Sequence, residues 1–344
     1  MSNKNSKIPA PKPQPVPIAN SLLEKMVDGR EFESLLHYKF QNINLIDELR
    51  RSIIEVKSIR QRPLLCYVAN VVKPITGSIS IDDSDDLPFD EMIKSVPAEV
   101  KQIDIVLVTP GGSAQTVSRF VNKLRPRFDE VTFILLNKCM SAGTIFVMSG
   151  NEIVMKSDSY IGPIDPQPPS KTGGYVPAQS ILTLVEDIKE RGEDLIKQGK
   201  QPSWSDMVLL KNIDPKELGN AISASNYSIS LVKEYLENYK FKNWLRHSDG
   251  QTPVTPKEKK IRAEEIAKLM CDHSKWLSHG HSITREAAWN VCKLKITHSE
   301  DIQGLDRVLR RMWALVYWMF ENTLITKIFI SENYALFRNG KQNN

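Results

Sequence analysis

Apolar positions change their period along the chain, and the change comes at Pro63. From Ser21 to about Ile59 they recur with helical spacing: Leu22, Leu23 and Met26, then Leu35, Leu36 and Phe40, then Leu45, Ile46 and Leu49. Beyond Pro63 come short unbroken apolar runs, LLCYVAN (64–70), IDIVLVTP (103–110), VTFILLN (131–137) and EIVM (152–155), each predicting a strand. Between the second and third, Val117, Phe120, Val121 and Leu124 make one face of a helix. Strand, helix, strand at this spacing is a βαβ unit. Runs without polar alternation point to a largely parallel sheet covered on both faces. After residue 180 the pattern is helical to the end, interrupted near 200–205 and 245–257. The clearest stripe is the last: Leu305, Val308, Leu309, Met312, Leu315, Val316 and Met319. Such a face either closes the core or meets another subunit.

The polar stretches divide the chain. Residues 1–20 are rich in Pro, Asn and Lys and read as a flexible tail. A helical segment over 21–60, an α/β core over 61–190 and a helical region over 191–344 that completes or covers the core follow. Residues 77–89 (GSISIDDSDDLPF) read as a solvated acidic loop, because Asp82, Asp83, Asp85 and Asp86 lack the spacing of an EF-hand.

Composition narrows the possible roles. The net charge of +5 is spread over 46 Lys and Arg with no long basic stripe, which argues against nucleic-acid binding. The basic run Lys257 to Arg262 leads into Glu264 and Glu265 and reads as a solvated helix start. Cys66, Cys139, Cys271 and Cys292 are too far apart for a zinc pattern, so no metal and no cofactor is expected, and free thiols suit a reducing compartment. The first residues lack the apolar region of a signal peptide. The longest apolar run, Met312 to Phe320, is about half of the roughly 20 residues a membrane span needs. A soluble, cytoplasmic chain with no integral membrane segment is the expectation.

Two segments carry the candidate chemistry. TPGGSA (109–114) and NKCMSAGT (137–144) each end a strand and precede a helix, at the carboxyl ends of parallel strands where open α/β sheets place their sites. Acyl transfer develops negative charge on a carbonyl oxygen, which backbone N–H donors can hold. Gly111 and Gly112, lacking Cβ atoms, can bring backbone close to a ligand. Ser141 opens the next helix, so the N–H of Ala142 is a natural second donor.

TPGGSA followed by MSAGTIFVMSGNEIVMKSDSYIGPIDPQ resembles the serine dehydrogenase proteinase family, which belongs with Clp protease and signal peptide peptidase A in the Clp/crotonase superfamily. The likeness is strong over about 60–190 and continues loosely through HSKWLSHGHSITREAA (273–288). It implies an α/β fold with a core of stacked ββα units and a mostly parallel sheet, flanked by N- and C-terminal helical segments. It also implies Ser141 as nucleophile, an oxyanion hole of the Pro-Gly-Gly loop (Gly111, beside Gly112) and Ala142, a peptide or unfolded-protein substrate, and a homo-oligomer, a trimer or ring.

The base does not carry over. Where Clp protease has a His about 25 residues after its Ser, YIGPIDPQ (160–167) has Asp165. Where archaeal relatives have a Lys, VPAQSI (176–181) has Gln179 and Ser180. Lys138, Lys171, His279 and His281 are the substitutes, with Asp165 to orient one of them or simply to shape a turn between two prolines. Three functions follow from the residues: a serine endopeptidase, an acyl-CoA enzyme of the crotonase type, against which the Ser-Ala-Gly-Thr motif argues, and a non-catalytic scaffold or binding subunit.

Overall fold

The unbroken apolar runs are strands, and what covers them explains their lack of alternation. In the computed structural model, which describes residues 21–37, 44–167 and 177–341, β1 (Leu64–Ala69), β2 (Gln102–Thr109), β3 (Glu130–Cys139) and β4 (Glu152–Met155) lie parallel. They share one sheet with β5 (Tyr160–Ile161), β6 (Ile283–Thr284), β7 (Thr297–His298), β8 (Ile325–Ser331) and β9 (Ala335–Asn339). The order is β6-β5-β3-β2-β1-β8-β9, with β4 beside β3 and β7 beside β4, and among the described residues the antiparallel pairs are β5 with β6, β1 with β8 and β8 with β9.

The helices are α1 (Glu31–Leu36), α2 (Leu45–Arg60), α3 (Asp86–Lys94), α4 (Ala114–Leu124), α5 (Ala142–Met148), α6 (Ala178–Lys197), α7 (Trp204–Asn212), α8 (Pro215–Tyr235), α9 (Pro256–Cys271), α10 (His273–Trp276), α11 (Arg285–Asn290) and α12 (Leu305–Asn322). Successive strand residues point to opposite faces. Leu65, Tyr67, Ile105, Leu107, Phe133 and Leu135 therefore join α3, α4, α5, α8 and α9 in one core layer. Leu64, Cys66, Val68, Val106, Ile134 and Leu136 join α2 and α12 in the other. Phe89 and Phe120 stack at 4.2 Å in the first layer, and each fully buried aromatic contributes about 2–3 kcal/mol.

Charge is buried at the amino ends of the strands, away from the glycine loop. Arg60, at the end of α2, donates to Asp104 at 2.7 Å and to Glu152 at 2.8 Å, and so ties β2 to β4. Burial pushes the Asp104 carboxyl up, against the pull of Arg60 and Arg62.

Two expectations are corrected, and one open alternative is decided. The acidic stretch is not a solvated loop: Asp83–Asp85 form a 3₁₀ turn that runs into α3, and Asp85 is fully buried. The chain does not stay helical to its end, because ITKIFIS (325–331) is a strand lying antiparallel on β1. The last apolar stripe is not open for a partner, because its residues are buried in the layer with α2. The tail assigned to residues 1–20 lies outside the described residues. Among the described residues, no helix is long and apolar enough to cross a membrane.

Candidate active site

Ser141 stands at the junction of β3 and α5 in a backbone conformation that L-residues avoid. Its φ is 52° and ψ −119°, and the Gly143 N–H closes the turn onto the Met140 carbonyl at 2.8 Å. These are the values of the first central residue of a type II′ turn, a position that glycine normally fills. A side chain held there costs on the order of 1–3 kcal/mol, and such strain gathers at functional sites. The same device lifts nucleophilic serines out of strand-to-helix turns in α/β hydrolases.

Packing holds the turn. The Met140 N–H donates to the Thr109 carbonyl at 3.0 Å, fixing β3 to the end of β2. The Thr144 hydroxyl lies 3.0 Å from the Cys139 carbonyl and 2.9 Å from that of Gly162, and accepts from the Gly162 N–H at 3.1 Å. Thr144 thereby pins the exit of β5 against α5.

The glycine loop faces the serine. A Cβ on Gly111 would meet the Ser141 Cβ at 2.7 Å and the Met140 carbonyl oxygen at 2.8 Å, so only glycine lets the strands approach this closely. The Gly111 N–H is occupied, donating to the Thr109 Oγ1 at 3.1 Å. Gly112 pairs with Ile81 in a parallel bridge: the Ile81 N–H donates to the Gly111 carbonyl at 2.7 Å and the Ser113 N–H to the Ile81 carbonyl at 2.8 Å. Alternate N–H groups of extended backbone point to opposite sides, so that of Gly112 points away from Ile81. Ala142 is the first residue of α5, where the N–H has no partner within the helix.

Gly112 is as constrained as Gly111. Its φ is +142°, and a Cβ there would come within 2.2 Å of the Ile81 carbonyl oxygen. Gly112→Ala is therefore expected to push the strap off Ile81, destabilising the fold by roughly 2–4 kcal/mol through strain and a lost backbone pair. Urea denaturation of the variant checks this.

The candidate bases fall into different places. Lys138 occupies the alternate position to Cys139, whose side chain joins the α5 layer, so strand alternation turns Lys138 to the opposite face. Lys171 lies outside the described residues. His281 is exposed and packs on the Trp276 ring at 5.2 Å. His279 is different. Its Nδ1 is 2.8 Å from the Asp165 Oδ1, although the two are 114 residues apart. Asp165 is 1% exposed, and a second ring that composition did not single out, His273, brings its Nδ1 to 3.5 Å from the other carboxylate oxygen. β6 runs antiparallel beside β5, which brings the turn before β6 back toward the segment after β5. The Ile164 N–H, bonded to the Met270 carbonyl at 2.9 Å, holds the segment to the end of α9.

A cavity of about 560 Å³ adjoins this segment, lined by Gln179, Ile229, Lys268, Leu269, Cys271 and Asp272; Ser141 does not line it. The Cys271 thiol in its wall is pushed up to about 12 by burial and by the charge of Asp165, which makes it an inert thiol. The Ser141 side chain makes no hydrogen bond as the cap of α5, and among the described residues no cluster of three or more metal-ligating side chains occurs.

The chain matches the model of the ClpP-like SDH-type serine proteinases over residues 30–198. Over that span, just under half of its length, the chain is similar to that family. Its α/β architecture, with a mostly parallel sheet, is accordingly of the ClpP-like kind. An uncharacterized protein of Methanocaldococcus jannaschii is 24% identical over 215 residues, which is 62% of this chain and 59% of that protein. A second from the same organism is 32% identical over 121 residues, 35% of this chain and 39% of the other. The chain thus spans less than two thirds of each of these relatives. Among solved structures, the membrane-bound stomatin-specific protease 1510-N is similar in two forms. A serine-to-alanine mutant is 17% identical, with 63% of this chain and 74% of that chain covered and a TM-score of 0.36. A lysine-to-alanine mutant in complex with a substrate peptide is 17% identical, with 76% and 84% covered and a TM-score of 0.37.

Proposed function

We propose that this chain is a serine endopeptidase in which Ser141 is the nucleophile and His279, oriented by Asp165, is the base. The observation that carries the reading is the type II′ backbone at Ser141 beside the glycine strap. The Ser141 Oγ attacks the scissile carbonyl carbon and its proton passes to the His279 Nε2. The Gly112 and Ala142 N–H groups hold the oxyanion. Collapse expels the amine, which takes the proton back, and water then releases the acyl group by the same steps. Hydrogen bonding of the His279 Nδ1 to the acceptor-only Asp165 carboxylate leaves Nε2 as the lone-pair nitrogen. The Gly111 N–H is already used by Thr109, so Gly112 is the donor from the loop.

A second reading, a binding subunit without catalysis, is favoured because, among the described residues, the hydrogen bond of His279 runs to Asp165 and not to Ser141. A fluorophosphonate probe separates the two: covalent labelling that Ser141→Ala removes supports the peptidase, and a folded wild type that never labels supports the binding subunit.

We further infer a homo-oligomer in a reducing, cytoplasmic compartment. All four cysteines are buried and unpaired, which suits reducing conditions. Of the exposed apolar residues, a group lies on α6 and α7: Ile196, Trp204, Met207, Leu209 and Leu210, with Trp204 79% exposed. Trp204→Glu with Met207→Glu is expected to shift the protein to monomers in light scattering, with circular dichroism unchanged.

A further inference from the structure

We infer that Lys327 is a positioning residue for the oxyanion strap, holding the Ile81 segment against which Gly112 is clamped; this rests on the peptidase reading of Ser141. Lys327 lies in β8, two strands away from β2, and its side chain is 1% exposed. Its ammonium donates to the Ser80 carbonyl at 2.6 Å, to the Asp82 Oδ2 at 3.2 Å and to both Asp85 oxygens at 2.9 and 2.7 Å. These contacts grip the backbone on both sides of Ile81.

The grip is built of satisfied groups. Asp85, fully buried, also accepts from the Tyr67 hydroxyl at 2.9 Å and from the Asp82 N–H at 3.1 Å. Burial opposes the charge on Asp82, but hydrogen bonds from Ser78, Ser84 and Lys327 outweigh it and hold this carboxyl well below the usual carboxylate range. A buried charge with this many partners persists because removing one of them leaves the others unpaired. Ile81, between Ser80 and Asp82, then offers both of its backbone groups to the strap, accepting from Ser113 and donating to Gly111. The remaining side of the segment is tied to α4, because Asp83 accepts from Thr116 at 2.9 Å and pairs with Arg119.

The chain of contacts therefore runs from Lys327 through the 80–82 backbone to the Gly112 N–H, and no member of it touches the scissile bond. A donor aimed at an oxyanion acts only when held at hydrogen-bond distance from where the charge develops. Loosening the strap should leave ground-state binding in place and lower transition-state stabilisation, and so lower kcat more than it raises KM.

The test uses the full chain with Lys327→Met and with the double variant Lys327→Met, Asp85→Asn, whose neutral amide keeps an acceptor for Tyr67 and the Asp82 N–H. Should both fail to fold by circular dichroism, Tyr67→Phe removes a single hydrogen bond from the same cluster and takes their place. Hydrogen exchange followed by mass spectrometry should show segments 78–85 and 109–116 exchanging about tenfold faster in the folded variant, with other segments unchanged. With a fluorogenic peptide, kcat should fall by about tenfold with KM little moved, and a peptide boronic acid should weaken by the same factor as kcat/KM. Unchanged exchange in 109–116 would overturn the inference whether or not the enzyme is active. So would a kcat/KM at the wild-type level in a variant that is only less stable. A wild type with no turnover and no labelling sinks the peptidase reading instead, leaving the exchange result to decide the clamp.

Discussion

Ser141→Ala is expected to abolish peptide hydrolysis and fluorophosphonate labelling, while Ser141→Gly abolishes both and also yields a more stable protein. Loss of the nucleophile of an acyl-enzyme mechanism lowers kcat by on the order of 10⁶. The stability difference comes from the backbone. Ser141 holds φ at 52°, and alanine inherits that strain because it keeps the Cβ. Glycine relieves a cost of on the order of 1–3 kcal/mol and gives back roughly 0.5–1 kcal/mol in unfolded-chain entropy, so a net gain of about 1 kcal/mol over alanine remains. Guanidinium denaturation of the three proteins reads this directly. A glycine variant no more stable than the alanine one would remove strain from the account of Ser141 and leave it an ordinary helix-start serine.

The second large effect is expected at the Asp165–His279 pair. His279→Ala should lower kcat by on the order of 10³–10⁴ or more, and Asp165→Asn by on the order of 10⁴, as loss of a base or of the carboxylate that sets its tautomer does in serine peptidases. Asp165→Asn keeps the shape of a fully buried side chain, so a large change in rate with a small change in melting temperature would separate catalysis from packing. Lys138→Ala, Lys171→Ala and His281→Ala serve as controls and should keep activity near that of the wild type. Activity that survives His279→Ala but disappears with Lys138→Ala or Lys171→Ala would transfer the role of base to a lysine. His273→Ala tests the second ring near Asp165, whose Nδ1 at 3.5 Å forms no hydrogen bond. Its loss is expected to matter much less than that of His279.

What the order of residues determined by itself is local. The apolar runs at 64–69, 103–109, 131–136 and 152–155 marked strands because burial on both faces leaves no room for polar alternation, and Gly111 and Gly112 marked a close backbone approach because only glycine tolerates it. The SAGT turn was legible for the same reason, since strand end, serine and helix start are neighbours in the chain. The tertiary structure decided what depends on residues far apart. Asp165 and His279 meet across 114 residues because β6 returns antiparallel beside β5, and no local period encodes that return. The acidic stretch at 82–86 is polar in composition, yet Asp85 is buried, because Lys327 arrives from β8 to neutralise it. One signal of that partner was present, a single lysine within the run ITKIFIS, where burying an unpaired ammonium would cost more than a strand can supply. Which carboxylate would meet it, and that the pair would come to brace Ile81 against Gly112, followed only from placing β8 against β1.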